Sequence, residues 1–422
     1  MIKKNYSLYG LPEEVKFCKK CTISNQRPSS TIEFANKDNN KKGIKVNSDN
    51  ICDACKYNEI KNKIDWVERE RKLITLCDKY RKKSGYDCII PGSGGKDSAY
   101  ASHILKYKYG MNPLTVTWAP HLYTDIGWQN LHNLITYFDL DSVVYNPDIN
   151  TYKELIRTSL RKYKHALLPF HQLHTSFPVH IAKDRGIPLV IWGGNQSVEQ
   201  VGKFSHLDEV EMTKWSRKEH DLFNIEIDTL IGNGAQVNER HLSYYNYPKI
   251  KNLGKKVRGI YLSNYLRWDP LKQNQSTINF GFQPELNNST FDIYERAGSS
   301  VYYSIHDLLK FERHGYRKIN DHVVREIRHK RITLSDGNKI LLKKSDQKVF
   351  IKPFFDWLGV TNTGYQWYID HMLVKSNQLV SNEKVPIDTT SDYLPPTILN
   401  CLVESQKSKE EFIIFGKGVH IR

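Results

Sequence analysis

Between residues 61 and about 205, short apolar runs alternate with stretches in which apolar residues recur at helical spacing. Tyr86 to Pro91 reads as a strand, Lys96 to Tyr109 as a helix, Pro113 to Trp118 as a strand and Asp125 to Phe138 as a helix. Ser142 to Tyr145 reads as a further strand, helical patterns cross residues 151 to 185, and Ile187 to Trp192 forms another apolar strand ending in Gly193-Gly194. Strands that alternate with helices predict a parallel sheet with helices on both faces. Ligands of such sheets bind beyond the carboxyl ends of the strands. The flanking regions, 1 to 60 and 206 to 422, are polar and cysteine-paired in the first case, and irregular and rich in Tyr, Lys and Arg in the second. No internal repeat is visible.

The turn between the first strand and the first helix carries the sharpest chemistry: Pro91-Gly92-Ser93-Gly94-Gly95-Lys96-Asp97-Ser98. Glycines there remove side chains that would keep backbone N–H groups from phosphate oxygens, and the following helix turns its positive end toward the anion. Ser93 and Ser98 add hydroxyls, and Lys96 adds a positive charge. A Walker A loop needs Ser or Thr after Gly-Lys and an earlier Gly where Ile90 stands, so that reading fails. The form S-G-G-K-D-S resembles the PP-loop of ATP pyrophosphatases, which grips departing pyrophosphate while AMP is transferred. Asp97 then suits a Mg²⁺ ion, because hard cations take carboxylate oxygens and bridge phosphates. A plain glycine turn would need neither the lysine nor both serines. Asn195 or Glu199, after the strand ending at Trp192, lies on the same sheet edge and could assist Mg²⁺ or substrate; an ordinary strand-to-helix turn explains that loop nearly as well. Asp125 suits a helix N-terminus as well as a functional role.

Cys18-x-x-Cys21 and Cys52-x-x-Cys55 form a four-thiolate set suited to tetrahedral Zn²⁺. The separation between the pairs exceeds usual ribbon spacing, but it includes the polar insert Asn36 to Gly43, which can loop out at modest entropic cost. An iron–sulfur cluster on the same cysteines is the competing reading; both knuckles look like ribbon halves, which favours zinc. Cys88, inside a strand, is expected to pack in the core, and Cys77 and Cys401 stand outside the set. His171 and His174 have a ligand-like spacing but lack a third ligand, so packing or substrate contact is the expectation.

Lys and Arg outnumber Asp and Glu by 62 to 46, a formal charge of +16 that favours anionic ligands without choosing among RNA, ATP and nucleotide-sugars. Hydrophobic residues at 39% exclude a disordered chain. The N-terminus lacks an apolar signal region, and no run approaches the roughly 18 apolar residues of a spanning helix, so a cytoplasmic protein is expected.

With ribbon and loop in this order, the chain resembles the bacterial N-acetyl sugar amidotransferase family, PP-loop enzymes of surface-glycan biosynthesis such as that of lipopolysaccharide or flagellin glycans. The resemblance extends through Pro188-Leu189-Val190-Ile191-Trp192-Gly193, Tyr265-Leu266-Arg267-Trp268-Asp269-Pro270, and Lys310 to Arg328, which contains His314-Gly315-Tyr316-Arg317 and Glu326-Ile327-Arg328. It continues to Phe355-Asp356-Trp357-Leu358-Gly359. One departure follows Arg331: Ile332-Thr333-Leu334-Ser335-Asp336 stands where the family has adjacent Arg and Glu. The resemblance implies an α/β PP-loop domain, adenine nucleotide alpha hydrolase-like, over 61 to 205, with an N-terminal zinc ribbon and a mainly helical C-terminal substrate or partner region. It implies ATP, Mg²⁺ and Zn²⁺ as cofactors and a nucleotide-sugar substrate whose N-acetyl oxygen is adenylated and replaced by ammonia. The implied cofactor site is Ser93, Gly94, Gly95, Lys96, Asp97, Ser98 and Asn195, with Lys96 and Asp97 catalytic; the metal site is Cys18, Cys21, Cys52 and Cys55. Position 2 is Ile2, not the cysteine of an N-terminal-nucleophile glutaminase, and no Gly-x-Cys-x-Gly elbow occurs. The chain is therefore not expected to hydrolyse glutamine by itself, and the resemblance implies a separate glutaminase and a cyclase-like ammonia-channelling subunit. A tRNA-modifying PP-loop enzyme is the nearest rival, and a non-catalytic zinc-ribbon nucleic-acid-binding protein is the rival of another class; the C-terminal resemblance opposes the first, and the complete phosphate loop the second.

Overall fold

The computed structural model describes residues 11–12, 14–28, 43–136, 139–214, 217, 222, 225–248, 257–277, 281–283, 300–315, 317–343 and 351–372. Residues 36–42 of the polar insert, Tyr316 and Cys401 lie outside these. Five strands, β1 (Cys88–Pro91), β2 (Pro113–Trp118), β3 (Ser142–Tyr145), β4 (Leu189–Trp192) and β5 (Arg258–Tyr261), form one sheet in the order β3-β2-β1-β4-β5. Every pairing is parallel, with Cys88 opposite Pro113, Ile89 opposite Val190 and Leu189 opposite Arg258. β1, β2 and β4 are buried along their whole length. That is why β1 and β4 read as unbroken apolar runs, while β2 carries two buried threonines, Thr115 and Thr117, whose hydroxyls are hydrogen-bonded.

β5 was not predicted, and it comes from beyond residue 205. Its Arg-Gly-Ile-Tyr carries little strand signal, and pairing with β4 supplies what local preference does not. Gly259 is required there by packing: a Cβ on it would approach Trp192 Cζ3 to 2.9 Å.

The helices in chain order are α1 (Asp53–Lys61), α2 (Trp66–Tyr80), α3 (Lys96–His103), α4 (Asp125–Thr136), α5 (Ile149–Tyr163), α6 (Leu168–Asp184) and α7 (Gln196–Glu199). Then come α8 (Ile227–Gly232), α9 (Pro270–Thr277), α10 (Tyr302–His314), α11 (Lys318–Arg328), α12 (Leu334–Lys343), α13 (Ile351–Leu358) and α14 (Asn362–Met372). A π-helical turn, Ile104–Lys108, extends α3 to the predicted length. Asp65 starts α2, its carboxylate accepting from the amides of Val67 and Glu68 at 3.0 Å each. Asp125 is the first residue of α4.

One sheet face packs Val116, Val190 and Trp192 against Leu155, Leu173 and Phe177 of α5 and α6, with Phe354 and Phe355 of α13 joining the same core. The other face packs Ile90, Ile191 and Ile260 against Leu73 of α2 and Leu105 of the extended α3 helix. Cys88 is fully buried in β1, as expected, and burial pushes its thiol well above the usual range. A third cluster joins the four paired cysteines to Ile319, Val323 and Ile327 of α11 and Leu341 of α12. The cysteine-bearing segment therefore completes its core with the C-terminal helices. Among the described residues no helix is long and apolar enough to cross a membrane.

Candidate active site

β1 sits between β2 and β4, so the chain winds to one side of β1 and later to the other. The carboxyl edge at this reversal is where an open α/β sheet forms a crevice. A cavity of about 460 Å³ opens there, lined in part by Gly92 to Ser93, Gly95 to Ser98 and Gly193 to Asn195.

The loop is held by the sheet. The Gly92 amide donates to Val116 O at 3.0 Å, and the Thr117 hydroxyl donates to Gly92 O. Gly94 has φ +80°, and a Cβ there would lie 2.5 Å from the Leu131 Cα and N atoms of α4. Gly95 differs: a Cβ on it would meet nothing nearer than Ser93 Oγ at 3.5 Å, so this face of the loop is open. Gly95 is also the N-cap of α3, with no side-chain hydrogen bond to the first-turn amides. Those amides, at the positive end of the helix, form a cradle for an anion. The Lys96 ammonium lies 2.9 Å from Asp97 Oδ1, and Ser98 Oγ donates to Gly95 O at 2.8 Å.

The loop after β4 is held differently. Asn195 caps α7, its side-chain oxygen accepting from Ser197 N at 3.0 Å, while its own amide donates to Ser263 Oγ at 3.0 Å. Glu199 accepts from Lys61 Nζ at 2.6 Å and lies 2.9 Å from His206 Nε2. Burial alone would raise the Glu199 carboxyl, but Lys61 and His206 outweigh it and hold it at about 2. Both residues line the cavity, with these contacts already made. Trp268 covers the two glycines: a Cβ on Gly194 would come within 2.6 Å of Trp268 Nε1.

The four cysteine sulfurs lie within 4.8 Å of one another. Cys18 and Cys55 are 3.8 Å apart, and Cys21 and Cys52 are 3.7 Å apart. Four thiolates at about 2.3 Å around one tetrahedral ion would be about 3.8 Å apart, so the set fits a single metal ion.

Residues 288–387 match the family model described as "LPS biosynthesis protein WbpG-like, C-terminal domain". The C-terminal region is WbpG-like. This bears out the resemblance to an N-acetyl sugar amidotransferase-like family. An uncharacterized protein of Methanocaldococcus jannaschii, MJ1599, is 27% identical over 123 residues, which is 29% of this chain and 43% of that protein. The chain thus spans less than half the length of this curated relative. The structure is similar, at 14% identity and a TM-score of 0.27, to NMN synthetase from Francisella tularensis, over 64% of this chain and 94% of that one.

The WbpG-like region supplies a further part of the cavity wall, with Asp307, Lys310, Lys318, Asp321, Arg325 and Arg328 among its lining residues. Buried ion pairs fasten it to the loop side. Arg27, between the cysteine pairs, grips Asp321 of α11 through Nε–Oδ1 at 2.6 Å and Nη2–Oδ2 at 3.1 Å. Arg331 grips Asp269 at 2.9 and 3.0 Å, just ahead of α9, and shares Glu326 with Arg325. Burial raises the Asp269 carboxyl, yet Arg331 and His329 overcome this and hold it well below the usual range. Arg328 reaches Cys21 Sγ at 3.5 Å and Cys52 Sγ at 3.8 Å, and its chain oxygen accepts from Asn58 Nδ2 at 3.0 Å. The cysteine cluster is therefore tied to the cavity wall through Arg328. No local motif marked Lys61, Arg27 or Arg331, because their partners lie 138, 294 and 62 residues away. Asp269 and Arg328 stood within the segments that carried the resemblance.

Proposed function

We propose that the chain is an ATP-dependent amidotransferase that converts the N-acetyl group of a sugar or nucleotide-sugar to an acetamidino group, releasing AMP and pyrophosphate. The observation that carries this reading is the uncapped first turn of α3 behind the Gly92 to Ser98 loop, opening on a cavity that the WbpG-like region helps to line. An N-acetyl amide is a poor electrophile, because resonance places electron density on its oxygen. In the reaction proposed, that oxygen attacks the α-phosphorus of ATP and the bond to pyrophosphate breaks. Ammonia adds to the resulting imidate carbon, the C–O bond breaks, AMP leaves with the former amide oxygen, and loss of a proton completes the amidine. Lys96 and the loop amides are assigned to the charge on the departing pyrophosphate. Bound Mg²⁺ would neutralise phosphate charge, with Asp97 as its ligand and Asn195 at the same edge. We assign zinc to Cys18, Cys21, Cys52 and Cys55 as a structural ion, a role suited to a closed set of four thiolates.

Ammonia is assigned to a separate glutaminase and a channelling, cyclase-like subunit, as the family resemblance implies. Pyrophosphate release from ATP by Ser93→Ala and Asp97→Ala variants, with an N-acetylated nucleotide-sugar and ammonium present, tests the assignment. At least a hundredfold loss in each, with circular dichroism unchanged, is expected. Unaltered turnover in either variant refutes the site.

A further inference from the structure

Helix α6 brings two imidazoles to the cavity. His171 and His174 stand one turn apart in its first half, so they share a face, and both line the cavity. The His174 ring lies 4.9 Å from Trp118, which sets it against the carboxyl end of β2. That strand pairs with β1, whose own end opens into the phosphate loop.

Both histidines are half-buried, neither ring makes a hydrogen bond among the described residues, and no nitrogen of either is among the sealed polar atoms of the core. Their ring nitrogens therefore keep accessible surface, and the cavity is the opening that both residues line. Burial depresses both imidazoles, His171 to about 3, where the neighbouring His174 lowers it further, and His174 to about 4. Both are unprotonated near pH 7, and His174 is the stronger base of the two. The titratable groups around them are His165, 6.0 Å from His171, His306, 4.8 Å from His165, and Tyr303, 6.1 Å from Phe170. No carboxylate contributes to either shift.

An unprotonated nitrogen meets a need of the amidation. When the ammonia lone pair adds to the imidate carbon, the new nitrogen carries three hydrogens and a positive charge. That adduct expels ammonia again unless a proton is removed. With one proton gone, a nitrogen lone pair forms the C=N bond, the C–O bond breaks, and AMP departs with the bonding electrons. The carboxylates lining the cavity are already engaged: Asp97 with Lys96, Glu199 with Lys61 and His206, Asp321 with Arg27, and Asp307 with the Lys318 amide. We propose that His174 is the general base of the ammonia step, taking this proton on a ring nitrogen. The inference rests on the amidotransferase reading. Phosphate charge bound at the neighbouring loop would strengthen the ring's hold on the proton at the moment it is needed. Substrate contact, one of the two roles that the histidine spacing left open, then falls to His174.

The test has two arms. In a chain carrying ¹³C-labelled histidine, His174→Gln assigns one signal among the 16 histidines. The His174 ring is expected to stay neutral from pH 8 to pH 5 in the free chain, and its signal is expected to move when the non-cleavable ATP analogue AMPCPP binds with Mg²⁺. A midpoint near 6.5 in the free chain, or a signal unmoved by AMPCPP, would overturn the proposal. In the second arm, ATP, UDP-N-acetylglucosamine and ammonium are supplied, and pyrophosphate and acetamidine are followed separately. His174→Ala should keep first-turnover pyrophosphate release within threefold of the unaltered chain and lose about a hundredfold in acetamidine formation. Imidazole in the buffer should restore at least tenfold, which a merely structural role would not allow. Equal loss of both partial reactions, or absence of imidazole rescue, would overturn the assignment. An unaltered chain that forms no acetamidine sinks the amidotransferase reading and the inference with it, whereas acetamidine formation that survives in His174→Ala sinks the inference alone.

Discussion

Replacing Lys61 by Met is the most searching test of how the site is held. Lys61 is 2% exposed at the end of α1, and its ammonium lies 2.6 Å from Glu199 at the end of α7, beside the loop after β4. It also donates to the carbonyl of Trp268, the ring that covers Gly193 and Gly194. Glu199 is held at about 2 in the fold against an ordinary value of 4.5. A displacement of that size is worth about 3 kcal/mol. Because the folded value is depressed, this stability is fully present above pH 4.5 and is lost as pH falls toward 2. Lys61→Met leaves a buried carboxylate with His206 as its remaining side-chain partner, a change that costs about 3 to 5 kcal/mol at neutral pH. Urea unfolding followed by circular dichroism measures it. The deficit should narrow between pH 4.5 and 2, as Glu199 becomes protonated, and Lys61→Met combined with Glu199→Gln should recover more than half of it. A deficit below about 1 kcal/mol at pH 7, or one that is independent of pH, would refute the claim that this pair anchors the loop.

Gly94→Ala should destabilise the chain by about 2 to 4 kcal/mol and suppress pyrophosphate release, since φ +80° is unfavourable for alanine and its Cβ would meet the α4 backbone at 2.5 Å; urea unfolding and a pyrophosphate assay check both. Cys52→Ala should release the bound metal, measured by elemental analysis, and lower the unfolding midpoint of the WbpG-like region as well as of the ribbon, because Val323 and Leu341 share its core. The purified chain should form product with high ammonium but not with glutamine; glutamine-supported turnover by the chain alone would show that the glutaminase assignment is wrong.

The sequence by itself determined the sheet's first four strands, the helix after the phosphate loop, the loop itself and the cysteine set. These are local in the chain: β1 and β4 are buried on both faces, so their apolar runs are unbroken, and the glycines, Lys96 and Ser98 act through one turn and the helix it begins. Only the tertiary structure decided the rest. β5 has little strand preference and exists because β4 offers its edge. The pairs Lys61–Glu199, Arg27–Asp321 and Arg331–Asp269 join charges whose sequence neighbours give no hint of one another, since a buried charge is tolerated only where the fold brings its counter-charge within reach.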